Sequence, residues 1–375
     1  MFTRFKIREY DFKLILMVLL LAGIGVVAIG SAEESLQTKQ LFGVIAGTVA
    51  MLFLSFVNYS FWLKLYWLMY AGNIGLLVLV LFSGAGEDAG GAQRWLKIGG
   101  LQFQPSETAK ILLILFFAQF IMKYKEKLNT FKILASCLLL VVFPWLLIYK
   151  QPDLSTSMVV LAIFCIIMFA GGISYKLVLG VLAIIIPAVA IMVTLALQPG
   201  NTILEDYQKD RILAFIKPEE YADKEAYQQL NSIMAIGSGQ LDGKGYKNNE
   251  ITSVKNGNFI SEAQTDFIFA VIGEEFGFKG CVLVVGLLIG ISLECIAVAR
   301  RAKDLAGRII CAGVGGLIAF QGFFNIGVAT FILPNTGLPL PFVSYGLTSC
   351  MSLFIAMGFV LNVRLQAKKI SQMNE

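Results

Sequence analysis

Phe259-Ile260-Ser261-Glu262-Ala263-Gln264-Thr265-Asp266-Phe267-Ile268-Phe269-Ala270-Val271-Ile272-Gly273-Glu274-Glu275-Phe276-Gly277 places four carboxylates, Glu262, Asp266, Glu274 and Glu275, in an otherwise apolar segment. An apolar run from about Cys281 to Ala299 follows, long enough to cross a bilayer. Ionisable groups at that depth are costly unless they face a cavity or a partner. Thr265 or Asp266 can cap a helix that continues through Ile272. Glu262 and Asp266, four residues apart, would share one side of any helical turn through Ala263. A helix start with solvated acids at a membrane surface explains Glu274 and Glu275 as readily as function does. Asp266 points to function, because Phe267 and Phe269 flank it and a Ser would cap at lower desolvation cost.

The composition agrees with a membrane setting. Of 375 residues 57% are hydrophobic and only 15% charged, the profile of a polytopic membrane protein rather than a soluble enzyme. The first apolar run starts near Phe12 and is of full length, so it reads as a retained span, not a cleaved signal. Six cysteines lie mostly inside apolar runs, form no CxxC, and have no histidine to join them. A Cys/His metal site and a disulfide framework are not expected. Without histidine, proton transfer near neutral pH falls to carboxylates, Lys or Tyr.

The expected fold is an all-α polytopic membrane protein, a single integral domain over residues 1–375. About ten spans are expected near 12–31, 38–57, 61–82, 107–122, 132–149, 154–171, 175–197, 280–299, 307–331 and 344–363, with one large extracellular loop, about 198–279, between spans seven and eight. Arg4, Lys6, Arg8 and Lys13 precede the first span. Lys123, Lys125, Lys127 and Lys132 separate the fourth and fifth. Arg300, Arg301, Lys303 and Arg308 separate the eighth and ninth, and Arg364, Lys368 and Lys369 end the chain. The positive-inside rule puts all of these, and both termini, in the cytoplasm. The net charge of +5 is thus an orientation signal, and no nucleic acid partner is expected.

The opposite, extracellular side carries the unusual polar residues. Arg94-Trp95 and Gln104-Pro105-Ser106-Glu107 lead into a span in which Lys110 lies one turn beyond Glu107. Ser106 suits an N-cap, and Glu107 suits the positive end of the helix dipole. Glu107 and Lys110 can pair with each other, or Arg94 and Lys110 can meet a lipid phosphate. Trp95 suits a membrane interface. In Lys150-Gln151-Pro152-Asp153-Leu154, Pro152 breaks one helix and Asp153 can cap the next. In the long loop, 227–239 reads as an amphipathic helix closed by glycine, and Gly243 and Gly245 permit close approach of a ligand. Gln321 and Asn325 share one helical face and read as glue between helices. Leu333 to Gly346 holds three prolines. Such rigid, non-helical backbone at membrane depth needs protein burial or a watery cavity.

These motifs together resemble the SEDS family (shape, elongation, division and sporulation), which includes RodA, FtsW and SpoVE. The resemblance rests on Arg94-Trp95, Gln104 to Glu107 with Lys110, Gln151-Pro152-Asp153-Leu154, Ala235 to Gly239, Glu262 to Gly277 and Thr336 to Gly346. It covers nearly the whole chain. Tyr207-Gln208-Lys209-Asp210-Arg211-Ile212 and Gly243-Lys244-Gly245 look closer to RodA. The chain departs from the family pattern at Gln264, where His is usual, and at Ser261, Asn231, Gln240 and Leu347.

The resemblance implies a peptidoglycan glycosyltransferase of the bacterial cytoplasmic membrane, serving cell elongation, shape or division. It would polymerise lipid II, the undecaprenyl-pyrophosphate-linked disaccharide-pentapeptide, beside a class B penicillin-binding protein. It makes Asp266 the essential acid and sets Arg94, Trp95, Lys110, Glu262 and Ser344 around the substrate. Gln104, Glu107 and Asp153 join them as substrate-side residues. Asp266 would take the proton of the attacking sugar hydroxyl. Glu262 would position Asp266 or share with it a divalent cation, Mg2+ or Mn2+; no organic cofactor is expected. Two alternatives remain at this point: a flippase for the same lipid, which needs no base, and a scaffold that only recruits a crosslinking enzyme.

Overall fold

A computed structural model of the protein describes residues 10–83, 94–98, 101–180, 206–223, 226–247, 260 and 263–367, together with residues 183, 187 and 194. In chain order the helices are α1 (Phe12–Ala32), α2 (Glu34–Phe56), α3 (Tyr59–Lys64), α4 (Tyr66–Ser83), α5 (Pro105–Lys123), α6 (Phe131–Tyr149), α7 (Leu154–Ala170), α8 (Asp206–Ile216), α9 (Tyr227–Ser238), α10 (Ile268–Arg301), α11 (Leu305–Ala329) and α12 (Leu347–Leu365). A two-stranded antiparallel ribbon, β1 (Leu96–Ile98) and β2 (Leu101–Phe103), pairs Leu96 with Phe103 and Lys97 with Gln102.

Seven of these helices, α1, α2, α5, α6, α10, α11 and α12, are long and apolar enough to cross a membrane; Tyr66–Phe82 and Leu154–Ala170 are shorter apolar helices. Apolar side chains such as Phe42, Phe82, Leu139 and Phe169 stand exposed around the bundle, where a soluble protein would carry charge. The span expected at 61–82 is broken at Leu65 into α3 and α4. The span expected at 175–197 lies mostly outside the described residues. α5 and α12 are the most enclosed spans, with 78% and 72% of their apolar windows buried against 22% for α6.

The described helices run between two unlike ends of the bundle. One end gathers Lys123, Arg300, Arg301 and Arg364. The other, called the site end below, gathers the ribbon, the turn before α10 and the segment 331–346. That segment is non-helical, as its prolines require.

The quoted stretch folds differently from its expectation. Phe267, not Thr265 or Asp266, occupies the N-cap of α10, and no side chain caps it. The helix then runs on past Glu274 and Glu275 to Arg301, bent at Gly277, whose φ of 63° only glycine adopts readily. Glu274 and Glu275 are both buried, and both work as fasteners. The Lys244 ammonium donates to Glu274 at 3.0 Å; Ser31 Oγ and the Lys247 N–H donate to Glu275. The Lys244 and Gly245 amides also donate to the carbonyls of Glu274 and Glu275, at 2.9 and 3.1 Å. Gly243, at φ 82°, presses on the Glu275 carbonyl and has no room for a Cβ. The close approach this glycine permits is to the chain itself, not to a ligand.

α9 forms where the amphipathic pattern placed it and closes the end of α11. Gln229 Nε2 donates to the carbonyls of Val328 and Leu333, both at 2.9 Å, and Ser232 Oγ to that of Ala329 at 2.7 Å. The Val328 and Ala329 carbonyls lie in the last turn of α11, where intrahelical donors run out, and Leu333 lies just beyond it.

Candidate active site

The start of α5 sets the first group of polar side chains. Gln104, not Ser106, is the N-cap, and Pro105 follows at the first helical position, where its missing N–H costs nothing. Ser106 is released to donate to Asp153 Oδ2 at 3.4 Å, and Gln104 Nε2 reaches the same oxygen at 3.4 Å. Asp153 Oδ1 accepts from the Thr156 N–H at 3.0 Å, so Asp153 caps α7 as expected while tying it to α5. Arg94 closes the group from the ribbon side. Its Nε donates to the Gln151 carbonyl at 3.2 Å and an Nη to the Pro152 carbonyl. Trp95, half-buried, follows Arg94 at the mouth of the ribbon.

Lys110 lies inside the bundle. It is 1% exposed, and its ammonium donates to Glu107 Oε1 at 2.7 Å. Of its two expected partners the structure contains the carboxylate one turn back. In a low-dielectric bundle that pairing offsets part of the desolvation cost of both charges.

The second group centres on Asp266, half-buried in the turn 263–267. A Cβ built on Gly337 would lie 3.3 Å from Asp266 Oδ2, so the carboxylate packs directly on the proline-rich segment. That segment holds the turn by its carbonyls. The Tyr345 N–H donates to the Gln264 carbonyl at 2.9 Å and Ser344 Oγ to the Thr265 carbonyl at 2.6 Å. Ser344 Oγ also accepts from the Leu340 N–H at 2.7 Å. Asn325 Nδ2 donates to the carbonyls of Asp266 and Leu338, at 2.7 and 2.8 Å. Asn325 therefore does not join two helices, and Gln321, also expected as helix glue, finds no hydrogen-bond partner among the described residues.

Two links join the groups. Ser155 Oγ, in the first turn of α7, donates to the Thr336 carbonyl. Thr348 Oγ1, in the first turn of α12, accepts from the Gln104 N–H at 3.3 Å and donates to the Gln102 carbonyl at 3.2 Å. The structure thus gathers Arg94, Gln104, Glu107, Lys110 and Asp153 on one side and Asp266 and Ser344 on the other. Glu262 lies outside the described residues. Sequence reasoning passed over Ser155, Thr348 and Gln40. Gln40 is fully buried; its Nε2 donates to the Ser344 carbonyl at 3.3 Å, and its Oε1 accepts from the Gly346 N–H at 3.4 Å. Its one available signal was an amide inside an apolar span.

Beside the first group lies a groove of about 780 Å³ between α2, α3, α4, α5 and α12. Its walls are apolar, among them Phe53, Trp62, Leu112, Met351 and Phe359; Gln102, Thr108, Thr348 and Ser352 supply polar atoms toward the site end. Such a shape suits an amphiphile with its tail along the walls and its head at the site end.

A divalent cation would need Asp266 together with Glu262. Among the described residues no three Asp, Glu, Cys or His side chains converge as a metal set. The described residues do not by themselves make a cation site, and no step below passes through one.

Comparison with known proteins gives a consistent family. The family model for FtsW, RodA and SpoVE, described as a cell cycle protein, matches residues 11–369. A probable peptidoglycan glycosyltransferase FtsW of Geobacter metallireducens is 32% identical over 375 residues, covering 97% of this chain and 96% of that protein. The peptidoglycan glycosyltransferase MrdB of Escherichia coli K12 is 34% identical over 306 residues, covering 82% and 80%. Among solved structures, a chain of a peptidoglycan synthase complex that coordinates polymerization and crosslinking superposes with a TM-score of 0.76 at 29% identity, covering 95% and 97%. The rod shape determining protein RodA of Thermus thermophilus superposes with a TM-score of 0.70 at 27% identity, covering 96% and 98%.

Proposed function

This chain belongs to the FtsW, RodA and SpoVE family, and on that premise we propose that it is a peptidoglycan glycosyltransferase that polymerises lipid II at the outer face of the bacterial cytoplasmic membrane. The observation that carries the reading is the placement of Asp266: a half-buried carboxylate packed on Gly337, in a turn whose carbonyls are held by Tyr345, Ser344 and Asn325. A base fixed in this way is suited to one geometry of attack.

Asp266 accepts the proton of the acceptor sugar hydroxyl. The hydroxyl oxygen forms its bond to the anomeric carbon of the donor as that carbon's bond to the lipid pyrophosphate breaks, with inversion. Arg94 meets the charge developing on the pyrophosphate. Lys110 joins it by exchanging Glu107 for a phosphate oxygen. Gln104, Trp95, Asp153 and Ser344 line or support the sugar side, and the groove takes part of the polyprenyl chain. Glu262 and Asp266 would share an Mg2+ or Mn2+ ion if one is required. The same reading has ten spans, the seventh at 175–197, both termini in the cytoplasm, and a class B penicillin-binding protein as partner. Relatives at similar identity include both FtsW and MrdB, so identity does not choose between division and elongation.

The apolar walls and single polar end of the groove favour transfer at one membrane face over passage of a headgroup through the bilayer. The test is incubation of the purified chain, alone and with a class B partner, with fluorescent lipid II, in parallel with a lipid II flipping assay in vesicles. Glycan strands without flipping are expected. Flipping without polymer would transfer the assignment to a flippase.

A further inference from the structure

Three consecutive carbonyls of the Asp266 turn are each held by a separate donor. The Gln264 carbonyl has a backbone amide and the Thr265 carbonyl a hydroxyl, both from the proline-rich segment. The Asp266 carbonyl alone has a side chain from a transmembrane helix, Asn325 of α11. Asn325 is 1% exposed, and its second amide hydrogen goes to Leu338, one residue beyond the Gly337 that touches the acid. One side chain thus ties the acid's own backbone and the surface against which its carboxylate rests to a single helix. α10 offers no substitute, since it begins at Ile268 and its N-cap, Phe267, makes no side-chain cap bond. The proline-rich segment would otherwise be a poor reference. It contains Phe342 at φ 64°, a conformation that a bulky residue keeps only when its surroundings impose it.

We propose that Asn325 is a positioning residue for the transfer reaction: it sets the register between Asp266 and the segment around Gly337 and so fixes where the carboxylate meets the acceptor hydroxyl. The inference rests on the base role assigned to Asp266. Gln321 supplies an internal control. It lies one turn deeper on the same face of α11, is equally buried, and neither of its amide atoms bonds any of the described residues. Both side chains are amides in the same kind of surroundings, but only Asn325 is bonded to the turn.

The experiment compares Asn325→Leu, the isosteric Asn325→Asp and Gln321→Leu, measuring lipid II polymerisation per folded molecule, KM, the pH–rate profile and Tm in detergent. Asn325→Leu is expected to lower kcat by roughly 10- to 100-fold, the scale of an ångström-level misplacement, with KM within about twofold. The acid limb of its pH–rate profile should move. Asn325→Asp has the shape but, when ionised, no hydrogen to donate to two carbonyls, and should not restore kcat. Gln321→Leu should keep kcat and Tm, since it removes an amide that bonds none of the described residues. An Asn325→Leu protein with lower Tm but unchanged kcat per folded molecule and unchanged pH profile would make Asn325 merely structural and overturn the proposal. So would an Asn325→Asp protein with full kcat. If Asp266→Asn itself polymerises normally, the base assignment fails instead, whatever Asn325 does.

Discussion

Asp266→Asn is expected to lower lipid II polymerisation by about 10²–10⁴-fold, the usual contribution of a positioned general base. The substitution keeps the shape of the side chain and removes its capacity to take a proton. It should largely preserve the fold, because the backbone carbonyls of Gln264, Thr265 and Asp266 hold the turn whichever side chain stands at 266. Tm in detergent should therefore match the parent chain while glycan product disappears from a gel of labelled lipid II. Binding of lipid II should persist, because the groove and Arg94 are untouched. Near-normal polymer from a well-folded Asp266→Asn protein would remove the base role.

Lys110→Met is expected to have the largest effect on stability. Lys110 and Glu107 are 1% and 3% exposed, and removing one partner leaves the other as an uncompensated buried charge. Losses on that account are about 3–5 kcal/mol. Glu107→Leu should cost a similar amount for the same reason. The double change Lys110→Met with Glu107→Leu removes both charges and should return most of the Tm, since apolar replacements of a buried pair are often close to neutral. Polymerisation should not return with it. If the ammonium moves to a phosphate oxygen of the leaving group, the refolded double variant stays roughly 10²-fold slow, as when one stabilising donor is removed from a transition state. Full activity in the double variant would confine the pair to holding the start of α5.

Much of the fold was readable because the bilayer imposes a simple pattern. Long apolar runs became α1, α2, α5, α6, α10, α11 and α12 within a few residues of their expected bounds, apart from the early start of α10, and prolines kept 331–346 out of helix. The break at Leu65 was not readable, since no Gly or Pro marks it. Nor was the run of α10 through Glu274 and Glu275, because the groups that make these acids tolerable, Ser31 and Lys244, sit 244 and 30 residues away in sequence. The site was legible as a set of residue types. Asp266, Arg94 and Asp153 drew notice as costly polar groups at an apolar boundary.

What each polar group touches was less legible. Ser344 read as a residue on the substrate side, and the sequence did not show that its hydroxyl also holds a carbonyl 79 residues away. Asn325 read as glue between helices, yet it holds one 59 residues away. Local sequence spacing reports which face a side chain takes, not which distant turn folds over it. Lys110 is the reverse case: its partner was one turn away and so was among the expected readings.

The central claim is an outward-opening polar site in which Asp266 meets the lipid-linked substrate. Asp266→Cys in a chain whose six native cysteines are replaced tests it directly. The measurement is the rate of labelling by a membrane-impermeant thiol reagent applied from either side, with and without lipid II. The account predicts labelling from the outer side and protection by lipid II. Labelling only from the cytoplasmic side, or outer labelling that lipid II leaves unchanged, would contradict it.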